Sequence, residues 1–170
     1  MTQKNPFIFI FKDISYKNFR YLSSLLCLLG DIFLCLFLYL YFTSEKFLNV
    51  FLEQLSNTNV IDHDTLAMMQ MGPTFHMELH QLIIQSLILL FVLAIGFNLI
   101  HYGFFILKNS SWARKYIKFM TIVGVPSFIF IGLTHLDFGI ISIVMIAQSF
   151  LYTFTWYGLN YYQVNLGTEK

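Results

Sequence analysis

Charged side chains are scarce in this sequence. Asp, Glu, Lys and Arg make up 11% of its 170 residues, whereas they make up about 25% of soluble globular proteins. Hydrophobic residues make up 57% of the chain, above the soluble average of about 45–50%. This composition excludes an ordinary soluble domain and predicts a membrane protein with the length of one domain.

Strong net charge and catalytic motifs are also missing. The formal net charge of +1 gives no reason to expect a nucleic-acid partner. No Ser-x-x-Lys or G-x-S-x-G motif occurs, and there are neither paired intramembrane aspartates nor a glycine-rich phosphate loop. We therefore favour a non-enzymatic protein whose partners are the lipid bilayer and either a second copy of itself or a larger membrane complex.

Cysteine is nearly absent, and both cysteines lie in the first apolar segment. Cys27 and Cys35 are eight residues apart, which in one helix separates them by about 12 Å along the axis. That distance is too long for a disulfide, and no CxxC pattern occurs. The cysteines therefore predict neither a disulfide framework nor a dithiol site.

Four long apolar segments remain. The first has Asp31 as its one charged residue in 22, and a helix of that length, about 33 Å, crosses a hydrocarbon core of about 30 Å. We expect Pro126, near the middle of the third segment, to kink that helix. The fold prediction is an all-α membrane protein, a bundle of four transmembrane helices at 21–42, 79–107, 116–134 and 138–161.

The other segments flank or connect these spans. Phe7, Phe11 and Ile14 recur at helical spacing, which predicts an amphipathic segment on the cytoplasmic leaflet. Phe47 and Phe51 begin a second such pattern, which predicts an amphipathic helix in the outer loop. The predicted segments are a cytoplasmic N-terminus at 1–20, an outer loop at 43–78, a basic cytoplasmic loop at 108–115, an outer turn at 135–137 and a cytoplasmic tail at 162–170.

The basic residues predict the orientation of the spans. Nine of the ten fall on one side of the proposed membrane, and only Lys46 falls on the other. Six of the nine acidic residues lie on the side of Lys46. Because positive charge accumulates on cytoplasmic segments, we predict that both termini are cytoplasmic, and we expect a bacterial cytoplasmic (inner) membrane. The nine are Lys4, Lys12, Lys17, Arg20, Lys108, Arg114, Lys115, Lys118 and Lys170.

Asp31 is the most informative single residue. A carboxylate at the middle of a span costs about 2.5–3.5 kcal/mol on insertion scales, so it should face protein, water or a partner. Ser24 and Cys27 share its helical face. It is either an ion- or proton-binding group, or a hydrogen-bonded acid that holds helices together. The candidate intramembrane partners are Asn98, His101 and Gln148.

Polar residues also recur along the second span. Asn98 and His101 project in the same narrow sector as His76 and His80 if this helix begins near Phe75. Such a stripe could line a wet path between helices, or it could supply interhelical hydrogen bonds. Packing is the commoner role, and both interpretations stay open.

A second candidate site lies on the predicted outer side. His76 and His80 are four residues apart, so in a helix both imidazoles can bind one metal ion. The nearby thioether of Met77 suits copper, and zinc is the alternative. A polar loop at headgroup level is the competing interpretation. The further candidate ligands are His63, His135 and Asp137.

Three functions are therefore open. The protein binds or passes a metal or other cation from the outer face, or it is a structural subunit or assembly factor of a larger membrane complex. The third alternative is a b-type redox protein with a single haem between His80 and His135, since such a haem needs two facing ligands.

The topology makes a direct prediction. In a chain whose two native cysteines are replaced by serine, Asn59→Cys and Lys170→Cys should react with an impermeant thiol reagent from opposite sides of intact membranes. The reason is the unequal distribution of basic residues between the two sides. Equal reactivity of the two sites from one side would overturn the four-span topology.

Overall fold

A computed structural model describes residues 8–57 and 75–166, and the side chains of 10–54 and 77–165. All the regular structure within these ranges is helical. The α-helices are α1 (Ile8–Lys12), α2 (Tyr16–Phe42), α3 (Glu45–Asn57), α4 (Phe75–Lys108), α5 (Ser111–Thr134) and α6 (Ile140–Leu166), with a 3-10 turn at Leu136–Phe138. Four of them, α2, α4, α5 and α6, are long and apolar enough to cross a membrane. The prediction of an all-α membrane protein with four such helices is confirmed.

Serine side chains cap two of these helices. The Ser15 hydroxyl accepts the backbone N–H of Asn18 at 3.2 Å, and the Ser44 hydroxyl accepts that of Phe47 at 3.2 Å. Each bond satisfies one of the backbone donors that a helix leaves free in its first turn. The cap at Ser15 explains why α2 begins five residues before the predicted apolar span: capping, not hydropathy, determines where a helix begins.

Two residues with positive φ mark the tight connections. Asn109, between α4 and α5, has a φ of 48°, and asparagine is one of the few residues that adopt this left-handed conformation readily. Gly139, which follows the 3-10 turn, has a φ of 57°. These positions reverse the chain between α4 and α5 and between α5 and α6 within very few residues.

The chain divides into two compact units, Met1–Leu34 with Ile95–Lys170 and Cys35–Ala94. The first unit is built on the α5–α6 hairpin, and small residues allow its helices to approach closely. A Cβ atom at Gly124 would meet the Tyr152 ring, and one at Gly132 would meet the Ile146 side chain. Such close approach is how helices associate in lipid, where the hydrophobic effect does not drive them together.

The short helix α1 packs on α6 in the same unit. The Phe11 side chain is 2% exposed, and its ring centroid lies 4.9 Å from that of Phe154 and 5.7 Å from that of Tyr161. The Tyr162 hydroxyl donates to the carbonyl of Phe11 at 3.0 Å and also to that of Ile14. Part of the apolar face of this segment is therefore covered by protein, while its position on a leaflet stays a prediction.

The second unit contains α3 with the end of α2 and the start of α4. Aromatic rings connect α2 to α3: the centroids of Phe42 and Phe47 lie 4.7 Å apart, and those of Tyr41 and Phe47 lie 5.5 Å apart. Leu52 is 5% exposed. The helix expected at the start of the outer loop thus covers Glu45–Asn57, and its placement at a membrane interface stays a prediction.

The glycine contacts predict a difference between two alanine variants. Gly124→Ala should lower the free energy of unfolding by about 1–3 kcal/mol, because the added methyl group overpacks the Tyr152 ring. Gly96→Ala is the matched control, since a Cβ there meets nothing within 4 Å. It should be neutral or stabilising by about 0.5–1 kcal/mol, as alanine favours the helix. Unfolding in detergent measures both, and equal effects would contradict the packing described here.

Candidate functional site

Asp31 lies inside the first unit and is hydrogen-bonded there. Its side chain is 7% exposed, and the Tyr102 hydroxyl of α4 donates to Asp31 Oδ2 at 2.7 Å. Tyr102 is itself buried, with 3% of its surface exposed. A carboxyl group in the middle of α2 is therefore satisfied by a neutral hydroxyl from a neighbouring helix, as a buried polar group requires.

A second hydrogen-bonded path connects the carboxyl to α5. The Asn98 side chain of α4 also hydrogen-bonds Asp31, and the Asn98 Oδ1 accepts a hydrogen bond from the Tyr116 hydroxyl. Because a carboxylate only accepts, the amide nitrogen is the donor towards it. Asn98 therefore hydrogen-bonds both Tyr116 and Asp31. The network includes side chains from α2, α4 and α5.

His101 lies beside this network and contacts it through ring packing. Its ring centroid is 3.8 Å from that of Tyr116 and 4.7 Å from that of Trp112. Its Nδ1 lies 2.8 Å from the carbonyl oxygen of Phe97, and since a carbonyl only accepts, this nitrogen carries a proton. The His101 ring thus packs against the Tyr116 side chain.

Two side chains of α6 contact α2 near Asp31. Gln148 donates from Nε2 to the carbonyl of Leu26 at 2.7 Å, and its Oε1 has no hydrogen-bond partner among the described residues. The Tyr152 hydroxyl lies 3.4 Å from the carbonyl of Cys27. A Cβ atom at Gly30 would meet both side chains. Gln148, one of the expected partners of Asp31, thus binds the α2 backbone.

Neutral side chains interact with Asp31. Four titratable side chains interact electrostatically with Asp31, and they are Cys27, Tyr102, Tyr116 and Tyr152. All four are uncharged at neutral pH in their ordinary state. None of these four side chains would compensate the charge of an ionised carboxylate in the hydrocarbon region. This arrangement suits a carboxyl group that holds a proton or accepts another cation.

The predicted outer metal ligands fall in different parts of the structure. His63 lies outside the described residues, and so does the side chain of His76, although its backbone belongs to the first turn of α4. His80 and Met77 are in the second unit, where they line a cleft of about 620 Å³ together with Glu45.

The remaining two candidates, His135 and Asp137, lie at the α5–α6 connection of the first unit. The carbonyl of His135 accepts the Ser142 hydroxyl. Within the described ranges, no three His, Cys, Asp or Glu side chains are grouped so that they could hold a metal ion. The metal ligand set and the haem pair of His80 and His135 stay predictions.

Sequence reasoning missed Tyr102 and Tyr116. Tyrosine in a transmembrane protein is commonly an interfacial residue, so neither drew attention as a partner for Asp31. A usable signal was present, however, because Tyr102 follows Asn98 by four residues and therefore shares its helical face.

The network predicts energetic coupling between Asp31 and Tyr102. Tyr102→Phe should destabilise the protein by about 1–3 kcal/mol, because it removes a buried donor to a polar group. In a double-mutant cycle with Asp31→Asn, the two effects should be non-additive by about 0.5–3 kcal/mol. Tyr21→Phe is the control, since Tyr21 is 49% exposed. Additive effects would show that the hydroxyl and the carboxyl do not interact.

Comparisons with protein-family models, with curated proteins and with solved structures find no match to this chain.

Proposed function

We propose that this protein is a proton-binding membrane protein, and that Asp31 is the group through which a proton enters and leaves the membrane interior. The observation that carries the proposal is the burial of this carboxyl among neutral hydrogen-bonding groups from neighbouring long helices. Intramembrane acids of this kind are expensive, and they commonly mark ion or proton pathways. In this proposal the protein acts by binding and passing a cation.

The ligand chemistry supports a proton over a metal ion at Asp31. Calcium takes six to eight oxygen ligands and magnesium needs near-octahedral coordination, whereas structural zinc takes four ligands. Asp31 supplies one carboxyl group, and its hydrogen-bond partners Tyr102 and Asn98 are neutral. A proton needs only one carboxylate oxygen, and the Tyr102 hydroxyl can stay hydrogen-bonded to either form of the acid.

Metal binding at the predicted outer side is a separate proposal. It is supported by His80, Met77 and Glu45, which line one cleft of the second unit, and by the spacing of His80 from His76. Calorimetric titration with zinc and with copper tests it: H76A/H80A protein should bind at least tenfold more weakly than the wild type. Unchanged affinity would contradict the proposed outer metal site and would leave the proposed role of Asp31 unaffected.

A structural subunit or assembly factor is the competing function. The hydrogen bonds of Asp31 connect α2 to α4, and such bonds also hold helices together without any transport. Asparagine at this position separates the two functions, because it keeps a hydrogen-bonding side chain but cannot release a proton. If Asp31 has a structural role, Asp31→Asn should therefore change the function of the protein only slightly. If Asp31 binds a proton, the same substitution should abolish that function.

Proton flux into proteoliposomes tests the proposed function. Wild-type protein should dissipate an imposed pH gradient at least tenfold faster than protein-free liposomes, and Asp31→Asn should return the rate to that background. Asp137→Asn is the matched control, because it removes an exposed carboxylate outside the network. A wild-type rate equal to that of protein-free liposomes would contradict the proposal and favour the structural function.

A further inference from the structure

A deep apolar cleft lies between the first half of α2 and the last half of α4, inside the first unit. Its volume is about 680 Å³, within the range of about 300–1,000 Å³ that ligand sites occupy. Its walls include Leu25 and Leu28 of α2 and Leu99 of α4. Gly103 leaves its α4 side open, because a Cβ atom there would meet nothing within 4 Å.

The length of this cleft matches one leaflet of a bilayer. Its α2 wall extends from Asn18 to Leu28, and ten residues of helix rise by about 15 Å. The hydrocarbon core is about 30 Å thick, so the cleft extends from one interface to near the midplane. A single hydrocarbon chain that hangs from a headgroup has this shape.

One polar side chain in the wall of the cleft has no hydrogen-bond partner among the described residues. Ser24 lines the cleft and is 3% exposed, yet its hydroxyl has no hydrogen-bond partner among the described residues. The neighbouring Ser23 hydroxyl already donates to the carbonyl of Arg20 at 3.2 Å. A buried hydroxyl without a partner is costly. The oxygen is almost wholly covered, so an acceptor on an occupant of the cleft would stabilise it after a small shift of the surrounding side chains.

Two basic residues lie within two positions of Asn18, which lines one end of the cleft. Arg20 precedes Ser24 by one turn on the same face, about 6 Å along the axis, and its Nη1 donates to the carbonyl of Phe105 at 3.2 Å. The Nε of Arg20 is buried and has no acceptor among the described residues. Lys17, one residue before Asn18, is exposed. Guanidinium and ammonium groups at this level attract lipid phosphate.

We propose that this cleft binds one anionic phospholipid. An acyl chain lies along Leu25, Leu28 and Leu99, the Ser24 hydroxyl donates to an ester carbonyl, and the phosphate contacts Arg20 and Lys17. Tyr102 lines the cleft and also donates to Asp31, so the lipid lies against the side chain that satisfies the carboxyl. The lipid site does not depend on proton binding at Asp31, so an experiment can contradict one of the two proposals and leave the other standing.

Native mass spectrometry in detergent tests this site with phosphatidylglycerol and phosphatidylcholine of identical chains. One phosphatidylglycerol should be retained per protein, with a dissociation constant at least tenfold below that of phosphatidylcholine. Gly103→Leu fills the cleft and should weaken binding at least tenfold. Gly96→Leu is the matched control on the same helix, since both glycines have open space around them, and it should bind like the wild type.

Two milder variants keep the test decisive if Gly103→Leu does not fold. Ser24→Ala should weaken binding of both lipids by about 2- to 10-fold, because it removes one hydrogen bond. Lys17→Gln should reduce the preference for phosphatidylglycerol, whereas Lys115→Gln, an exposed basic residue of α5, should not. Equal binding of the two lipids, or equal effects of each variant and its control, would show ordinary boundary lipid and overturn the proposal.

Discussion

The hydrogen bonds around Asp31 connect the α2, α4 and α5 helices of the first unit. Hydrocarbon offers no water to a carboxyl group, so its partners must come from the protein. The hydroxyl of Tyr102 and the amide of Asn98 supply them, and Asn98 is in turn held by Tyr116. These side chains fix the rotation of α4 about its axis, because turning the helix would withdraw both partners from the carboxyl.

Close packing at glycine complements these polar contacts. The Tyr152 ring of α6 lies against Gly124 of α5, and its hydroxyl end lies against Gly30 of α2. One aromatic side chain therefore fills the space that two glycines leave in neighbouring helices. In lipid, where burial of apolar surface gives little advantage, such contacts and hydrogen bonds supply the association energy. The Tyr152 side chain thus contacts both α2 and α5 near the Asp31 network.

The number and approximate position of the long helices can be predicted from the sequence, because the length and apolar content of a single segment determine whether it forms such a helix. The apolar content of 21–42 and the cost of a charge within it also suggest that Asp31 faces a partner. Which side chains meet it depends on the pairing of helices and on their rotation, which no single-helix pattern encodes. Asn98 was among the expected partners and hydrogen-bonds Asp31, whereas Gln148 binds the carbonyl of Leu26.

The same reasoning explains why other residues could not be predicted. The helix α4 is apolar on nearly every side, so its sequence does not indicate which face meets protein. Tyr102 and Tyr116 resemble interfacial tyrosines until their depth and neighbours are known. The outer ligand set combines His80 with His135 and Asp137, residues of different units, and local spacing cannot say whether such residues meet.

The proposed function requires that Asp31 carries a proton, and infrared spectroscopy observes directly whether it does. In protein carrying isotope-labelled aspartate, the C=O stretch of a protonated carboxyl should be present at neutral pH in the wild type and absent from Asp31→Asn. Tyr102→Phe should shift this band, because the hydroxyl that contacts the carboxyl is lost. A wild-type spectrum at neutral pH with only carboxylate bands, and no difference from Asp31→Asn in the protonated region, would contradict the account.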